Sequence, residues 1–226
     1  YMCQGVSGKA KGKTGKDKKQ YLSGFKMFTR GNGKIGTDIT NLLPYFTRSH
    51  PGLKKLASKC ESDQSRLTLR GEVIMERDVF DSRYSQETGQ GDFKNARNLV
   101  AGVVNSKKII PSIVKDLDLV CYEVMEPRKK PSTQYLWLQS IGFKTAQFHL
   151  GEDGHVDADS LSEDLITYRE SSPYEIDGLV VLHDKLYPVN KSGNPKNAFA
   201  FKTLVQHDRA ETTVMGIEWN ASKHGY

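Results

Sequence analysis

Arg70-Gly71-Glu72 runs directly into Val73-Ile74-Met75, and Glu175 and Asp177 flank Ile176 just before Gly178-Leu179-Val180-Val181. Lys202 follows Ala198-Phe199-Ala200-Phe201. Charges set inside runs this apolar must be paired, solvated in a cleft or used, because burial strips an ion of its hydration. Any one of them alone reads as a structural ion pair; three such sites in one chain point to a shared cleft. Gly71 and Gly178 stand beside these charges and would let a ligand approach the backbone closely. Thr29-Arg30-Gly31-Asn32-Gly33 puts an arginine on a tight turn, a pattern that a plain hairpin turn also explains. Asn95-Ala96-Arg97-Asn98 opens a helix, where unpaired backbone N–H groups and a guanidinium together suit an anion. These residues describe a cleft for an anionic ligand, a nucleotide above all, and do not by themselves name a reaction.

The elements that must position these residues follow from periodicity. The start, through Val6 and Ser7, reads as a strand, and Phe25 to Thr29 as the strand returning from a lysine-rich loop. Asp38 is a helix N-cap, with Ile39, Leu42, Leu43 and Phe46 as a short stripe interrupted near Pro44. Leu67, Leu69, Val73 and Met75 alternate as a strand, and Leu117 to Val124 form another. Helices are predicted over Asp78 to Tyr84 and Phe93 to Asn105. A further helix opens at Ser132, carries Tyr135, Leu136, Leu138 and Ile141, and ends at Gly142, and another covers Asp159 to Arg169. Ile176 to Leu182, Ala198 to Phe201 and Thr212 to Trp219 read as strands. Strands and helices mix without strict alternation, which predicts an α+β domain of antiparallel sheets flanked by helices.

Composition narrows the classes. The 226 residues are enough for one large domain or two small ones, with 37% hydrophobic and 27% charged residues as in globular proteins. No apolar run approaches the ~18 residues that a membrane span needs. The chain opens without a signal peptide and without Met, as a fragment would. Cys3, Cys60 and Cys121 are too few and too scattered for a disulfide framework or a zinc site, so they read as thiols of a reducing compartment. The net charge of +6 leans towards a polyanionic partner, although much of the excess lies in Lys9, Lys11, Lys13, Lys16, Lys18 and Lys19. That tract is either a solvated hairpin loop or a loop that contacts phosphate.

Taken in order, the motifs resemble those of NAD-dependent DNA ligases. Thr29-Arg30-Gly31-Asn32-Gly33-Lys34-Ile35-Gly36-Thr37-Asp38-Ile39-Thr40 resembles their TRGDG…GEDVT segment, and Arg70-Gly71-Glu72 their RGE strand. Phe93-Lys94-Asn95-Ala96-Arg97-Asn98 through Ala101-Gly102 is similar to their FANPRNAAAG helix. Pro173-Tyr174-Glu175-Ile176-Asp177-Gly178 matches PYEIDG, and Ala198-Phe199-Ala200-Phe201-Lys202 resembles AIAYK. Ile217-Glu218-Trp219 resembles the entry to the family's OB fold. The likeness spans the chain, and PYEIDG together with the N-x-R-N helix carries most of its specificity.

The resemblance implies a nucleotidyltransferase (adenylation) domain over residues 1–209 and, over 210–226, the connection into an OB-fold domain. It implies an enzyme that attacks the α-phosphate of NAD with a lysine, releases nicotinamide mononucleotide, and passes AMP to a DNA 5′-phosphate so that a nick in double-stranded DNA is sealed. NAD, through its AMP moiety, and Mg²⁺ are the implied cofactors. Nicked DNA is the implied partner of a monomeric, intracellular protein of DNA replication and repair. By position, Glu72 would hold the ribose and Tyr122 would stack on adenine, a place that an ordinary core tyrosine could also fill. Arg30, Arg97 and Arg169 would be cationic site residues, Asp177 would support the lysine or metal, and Lys202 would contact the α-phosphate.

The sequence also departs from the pattern. The family's nucleophile lies in K-x-D-G, and here Gly5-Val6-Ser7 follows Gln4 with neither Lys nor Asp. Without gaps, Met2 and Gln4 take the Lys and Asp slots. Alternatively, Tyr1-Met2-Cys3-Gln4 is the strand before that motif, Gln4 stands for its terminal Glu beside the nucleotide, and the lysine is missing between Gln4 and Gly5. Two further family cations fall at Asn105 and Leu182, with Lys107 and Lys185 nearby. A non-catalytic nucleotide- or DNA-binding homologue and an ATP-dependent nucleotidyltransferase are therefore the competing readings.

Overall fold

The alternation from Leu67 to Met75 becomes a central strand whose odd-numbered side chains are buried and whose even-numbered ones are half-exposed. The computed structural model describes residues 2–4, 25–31, 35–49, 51–53, 55, 67–86, 93–151, 156–188, 195–203 and 213–219. Two sheets organise these residues. The larger has five strands in the order β2-β1-β3-β4-β5: β1 is Met2–Gln4, β2 Phe28–Thr29, β3 Thr68–Met75, β4 Leu117–Glu126 and β5 Lys144–Thr145. The smaller pairs β6 (Leu179–Leu182) with β7 (Ala198–Phe201) in antiparallel register, Leu179 opposite Phe201 and Leu182 opposite Ala198.

The α+β class expected from the sequence is the one observed, with one difference. β5 joins β4 in parallel, Val120 opposite Lys144. The connection between them contains helix α5 (Pro131–Ser140), and a helical crossover returns the chain in the same direction, as a hairpin turn would not. Further helices are α1 (Leu43–Ser49), α2 (Arg77–Arg83), α3 (Ala96–Asn105), α4 (Pro111–Val114) and α6 (Ala158–Ser171), and residues 51–53 and 55 are also helical. Leu99, Val100, Val103 and Val104 of α3 are buried in one cluster with Leu42, Leu43 and Phe46, with Leu69, Val73 and Met75 of β3, and with Leu117, Leu119 and Val124 of β4. At about 25 cal/mol per Å² of apolar surface removed from water, this cluster dominates the stability of the domain.

Several local expectations are corrected. Pro44 does not interrupt a helix. A 3₁₀ turn over Thr40–Leu42 leads straight into α1, where Pro44 is the second residue and no i→i−4 donor is required of it. Asp38 accepts from the Thr40 amide at 2.9 Å as a turn residue rather than as the cap of α1. Asn95 and Asp157 are the N-caps of α3 and α6, accepting from Asn98 N and from Asp159 N and Ser160 N. Leu136 of the expected α5 stripe is exposed, whereas Ser132 and Gln134 are buried. Residues 213–219 form no strand, so the strand expected over Thr212 to Trp219 is not found there. Val6, Ser7 and the lysine tract lie outside the described residues.

Candidate active site

Asp177 and Lys202 meet at the open end of the β6–β7 pair, Lys202 Nζ 2.7 Å from Asp177 Oδ2. They stand just beyond the last paired residues on either side, because Leu179 pairs with Phe201. Gly178 makes the contact possible. A Cβ there would sit 2.7 Å from Lys202 Cγ and 2.7 Å from Phe201 O, so the lysine stem occupies the space that any other residue would fill. The pair is open to solvent, 61% exposed at Lys202 and 72% at Asp177, and an ion pair this exposed adds little stability. Its value is a carboxylate and an ammonium held together where a ligand can reach both. The hydrogen bond from Lys202 holds the Asp177 carboxyl below the usual carboxylate range, and the charges of Lys202 and Arg97 act in the same direction against a modest burial. Arg97 therefore shares its field with Asp177 from the first turn of α3, where Asn95 caps the helix.

The remaining expected site residues lie on α6, on the larger sheet and on the turn after β2. Arg169, in the last turn of α6, donates Nε to the carbonyl of Ile176 at 3.1 Å, one residue before Asp177. Glu72 is on the half-exposed face of β3, opposite Val120 of β4 and Met2 of β1. Gln4 pairs with Arg70 of β3 on one side and with Phe28 of β2 on the other. Arg30 is exposed on the turn after β2, where Gly31 takes φ +54° and the Thr29 amide donates to Thr37 O at 2.9 Å. No bond among the described residues joins Arg30 to the Asp177–Lys202 pair.

Tyr122 occupies a β-bulge. Glu123 lies opposite Arg70 and Cys121 opposite Gly71, which leaves Tyr122 as the extra residue of β4. Gly71 has a physical reason within the sheet: a Cβ would lie 2.6 Å from Val120 O and 3.2 Å from the Cys121 Cα. Gln134 holds the other edge of the bulge, its Nε2 donating to Tyr122 O at 3.2 Å and its Oε1 accepting from Val124 N at 2.8 Å. A buried glutamine spanning both backbone groups replaces the ladder bonds that β5, two residues long, does not reach.

Two family cation positions carry no charge. Asn105 ends α3 and Leu182 ends β6, with Lys107 and Lys185 exposed beyond them.

The sequence reasoning missed the residues that place the site. Tyr174 OH donates to Asp118 Oδ2 at 2.8 Å, and Lys144 Nζ donates to the same oxygen at 2.6 Å and to Glu76 Oε1 at 3.3 Å. Burial opposes the charge on Lys144, but its bonds to Asp118 and Glu76 outweigh that and hold its pKa above the ordinary value. Burial, and then the bond to the carboxylate, push the Tyr174 phenol far up. Asp184 accepts from Ser132 N and Ser132 Oγ at 2.7 and 2.8 Å and from Lys130 Nζ at 3.0 Å, tying the end of β6 to the start of α5. Asp118 was findable: it interrupts Leu117-Asp118-Leu119-Val120, the same charge-in-an-apolar-strand signal that marks Asp177.

A mixed domain with a lysine and an aspartate paired at the open end of a small antiparallel sheet, and an arginine whose charge acts on that aspartate, is a fold with a site suited to an anionic ligand. The family model for the NAD-dependent DNA ligase adenylation domain matches residues 20–206. The chain is 35% identical over 202 residues to the DNA ligase of Acanthamoeba polyphaga mimivirus, with 88% of this chain and 29% of that protein covered. It is 30% identical over 209 residues to the DNA ligase of Psychrobacter cryohalolentis (87% and 29% covered) and 32% identical over 219 residues to that of Aquifex aeolicus (87% and 28%). The chain belongs to the NAD-dependent DNA ligase adenylation-domain family. It spans about three tenths of the length of the curated relatives it matches. Among the described residues no helix is long and apolar enough to cross a membrane.

Proposed function

We propose that this chain serves a DNA ligase that forms a covalent lysyl-AMP from NAD and transfers the AMP to a 5′-phosphate to seal nicks in double-stranded DNA. The observation that carries this reading is Lys202 paired to Asp177 at 2.7 Å, with the charge of Arg97 acting on the same carboxylate. Phosphoryl transfer asks a protein for positioning and for positive charge around the transferring phosphate. An unprotonated lysine amine attacks the α-phosphorus, a P–N bond forms, the bond to the bridging oxygen breaks, and nicotinamide mononucleotide leaves. A DNA 5′-phosphate oxygen then displaces the lysine, and the 3′-hydroxyl displaces AMP.

In this reading Lys202 contacts the α-phosphate, and Asp177 orients Lys202 and supports the nucleophile or metal. Glu72 takes the ribose, Tyr122 the adenine, and Gln4, Arg30, Arg97 and Arg169 complete the nucleotide site. The nucleophile belongs after Gln4, whose pairing in β1 starts any following segment on the strand beside that of Glu72. Mg²⁺ would be held chiefly by phosphate oxygens and water. Among the described residues no three His, Cys, Asp or Glu side chains converge on one point, and Mg²⁺ commonly needs one or two carboxylates at most. Residues 1–209 form the adenylation domain and 210–226 lead into an OB fold. Val214, Met215, Ile217 and Trp219, 68% exposed or more, suit a segment that packs on a further domain. The protein acts inside the cell on nicked DNA, as a monomer, in replication and repair.

The second reading is a homologue that keeps the cleft and binds nucleotide or DNA without catalysis. Gln4 joined directly to Gly5, Asn105 and Leu182 favour it, since each removes a charge that the family pattern carries. The intact mass of the full-length protein, before and after NAD with Mg²⁺ and with ATP in a parallel tube, decides. A gain of one AMP from NAD alone is expected. A gain from ATP alone moves the protein to the ATP-dependent class, and no gain from either leaves a binding module.

A further inference from the structure

We propose that Tyr174, acting through Asp118 and Lys144, is a positioning residue that sets Asp177 and Lys202 against the five-stranded sheet; the inference rests on the reading of that pair as the reactive site. Residues 172–178 are in neither helix nor strand, so no ladder fixes the path that delivers Asp177. Polar bonds fix it instead. Arg77, the first residue of α2, donates from its guanidinium to Arg169 O at 3.0 Å and Ser172 O at 3.3 Å, and from its amide to Pro173 O at 2.8 Å. Arg169 holds Ile176 O. Those bonds grip the backbone. The side-chain anchor between them is Tyr174, whose hydroxyl reaches a carboxylate on a different sheet.

Asp118 is 8% exposed, the second residue of β4, between the buried Leu117 and Leu119. A carboxylate at that depth needs charged or hydrogen-bonding partners, and its Oδ2 has them in Lys144 of β5 and Tyr174. Glu76, just past β3, shares Lys144 at 3.3 Å. Tyr174 is thereby tied to β4 directly and, through Lys144, to the end of β3 and to β5. Three residues further on stands Asp177. Glu72 lies on β3, the strand that ends one residue before Glu76. The network therefore links the strand of Glu72 to the segment of Asp177, and its length sets the distance between the ribose side and the phosphate side of the cleft. Both arms of the network are short bonds to one oxygen. Loss of the tyrosine hydroxyl leaves Asp118 paired with Lys144 and leaves the segment held by the backbone bonds of Arg77 and Arg169.

The test uses the full-length protein carrying Tyr174→Phe, which keeps the ring and removes one oxygen, with Asp118→Asn as a second variant and Tyr168→Phe as a control. Tyr168 bonds His149 at 2.8 Å and makes no bond to Asp118, Lys144 or Tyr174 among the described residues. For Tyr174→Phe the rate of adenylyl transfer from NAD falls by about tenfold to a hundredfold, because small misplacements of reacting groups are costly. The KM for NAD stays within about twofold, since uniform binding is untouched. Hydrogen exchange quickens at amides 175–182 and not in β3. Asp118→Asn gives the same pattern, and Tyr168→Phe changes neither readout. A parent-like transfer rate in Tyr174→Phe, or unchanged exchange at 175–182, overturns the proposal. If the parent protein takes up no AMP at all, the reading of the site fails, and exchange at 175–182 alone decides whether the tether exists.

Discussion

The five-stranded sheet and the β6–β7 pair are held in opposite ways. Along β3, Leu69, Val73 and Met75 are at most 3% exposed beneath α3, whereas Val180, Leu182 and Phe199 of the smaller sheet are 67%, 39% and 52% exposed. No residue of β6 or β7 belongs to the buried cluster. The larger sheet is stabilised by apolar burial, which is strong and non-directional. The smaller one is placed by directional bonds: Tyr174 to Asp118, Arg77 to the carbonyls after α6, and Asp184 to the start of α5. The proposed nucleotide site needs both. Burial supplies a rigid wall, and a few polar struts hold a second wall that ligand and partner can still reach.

Substitutions that separate the two modes break or sharpen this comparison. Leu99→Ala empties a fully buried place on α3 and lowers unfolding free energy by about 3 kcal/mol in urea titration. A loss below about 1 kcal/mol would mean that the core is not where the stability lies. Lys202→Ala lowers adenylyl transfer from NAD by about a hundredfold or more with an unchanged urea midpoint, the cost of one missing cation at a transferring phosphate. An equal fall in stability would make the pair a structural strut after all. Alkali acts on the buried wall: burial pushes the Tyr135 phenol up to about 12, and Tyr84 is likewise raised to about 12. A raised folded pKa contributes stability below the unfolded value of 10.0 that is lost as pH climbs through the folded one, so stability declines between about pH 10 and 12. Tyr135→Phe should flatten that decline; an identical slope would exclude Tyr135 as its source. Asp184→Ala removes the acceptor at the start of α5 and costs about 1 kcal/mol, a cap-sized effect. Val180→Ala changes stability by less than about 0.5 kcal/mol, and a larger loss would show that the outer face of β6 is covered.

Period-two alternation makes β3 legible in the sequence, because Leu67, Leu69, Val73 and Met75 mark one face whatever packs on it. Asp177 and Lys202 are legible because each is a charge at the end of an apolar run, and the fold pairs them across 25 residues. Arg97, whose charge acts on Asp177, is legible for a reason equally local, since the cap at Asn95 fixes the first turn of α3. Arg30 is marked by motif position alone, and its turn leaves it exposed beside β2. Gly71 reads in the sequence as an opening for a ligand, and the approach it permits is that of Val120 O.

The sequence by itself determined the class, the longer strands and helices, and the charges Asp177, Lys202 and Arg97, because helix caps, strand alternation and ions in apolar runs are properties of neighbours a few residues apart. It did not determine that β5 enters in parallel, that Tyr122 sits in a bulge bridged by Gln134, or that one oxygen of Asp118 joins Lys144 to Tyr174. Those partners are 12 residues apart at Gln134 and Tyr122, 26 at Lys144 and Asp118, and 56 at Tyr174 and Asp118. Which of several acceptors a buried donor finds is decided when the sheets pack, since only the folded chain fixes which carboxylate loses its water and must be satisfied.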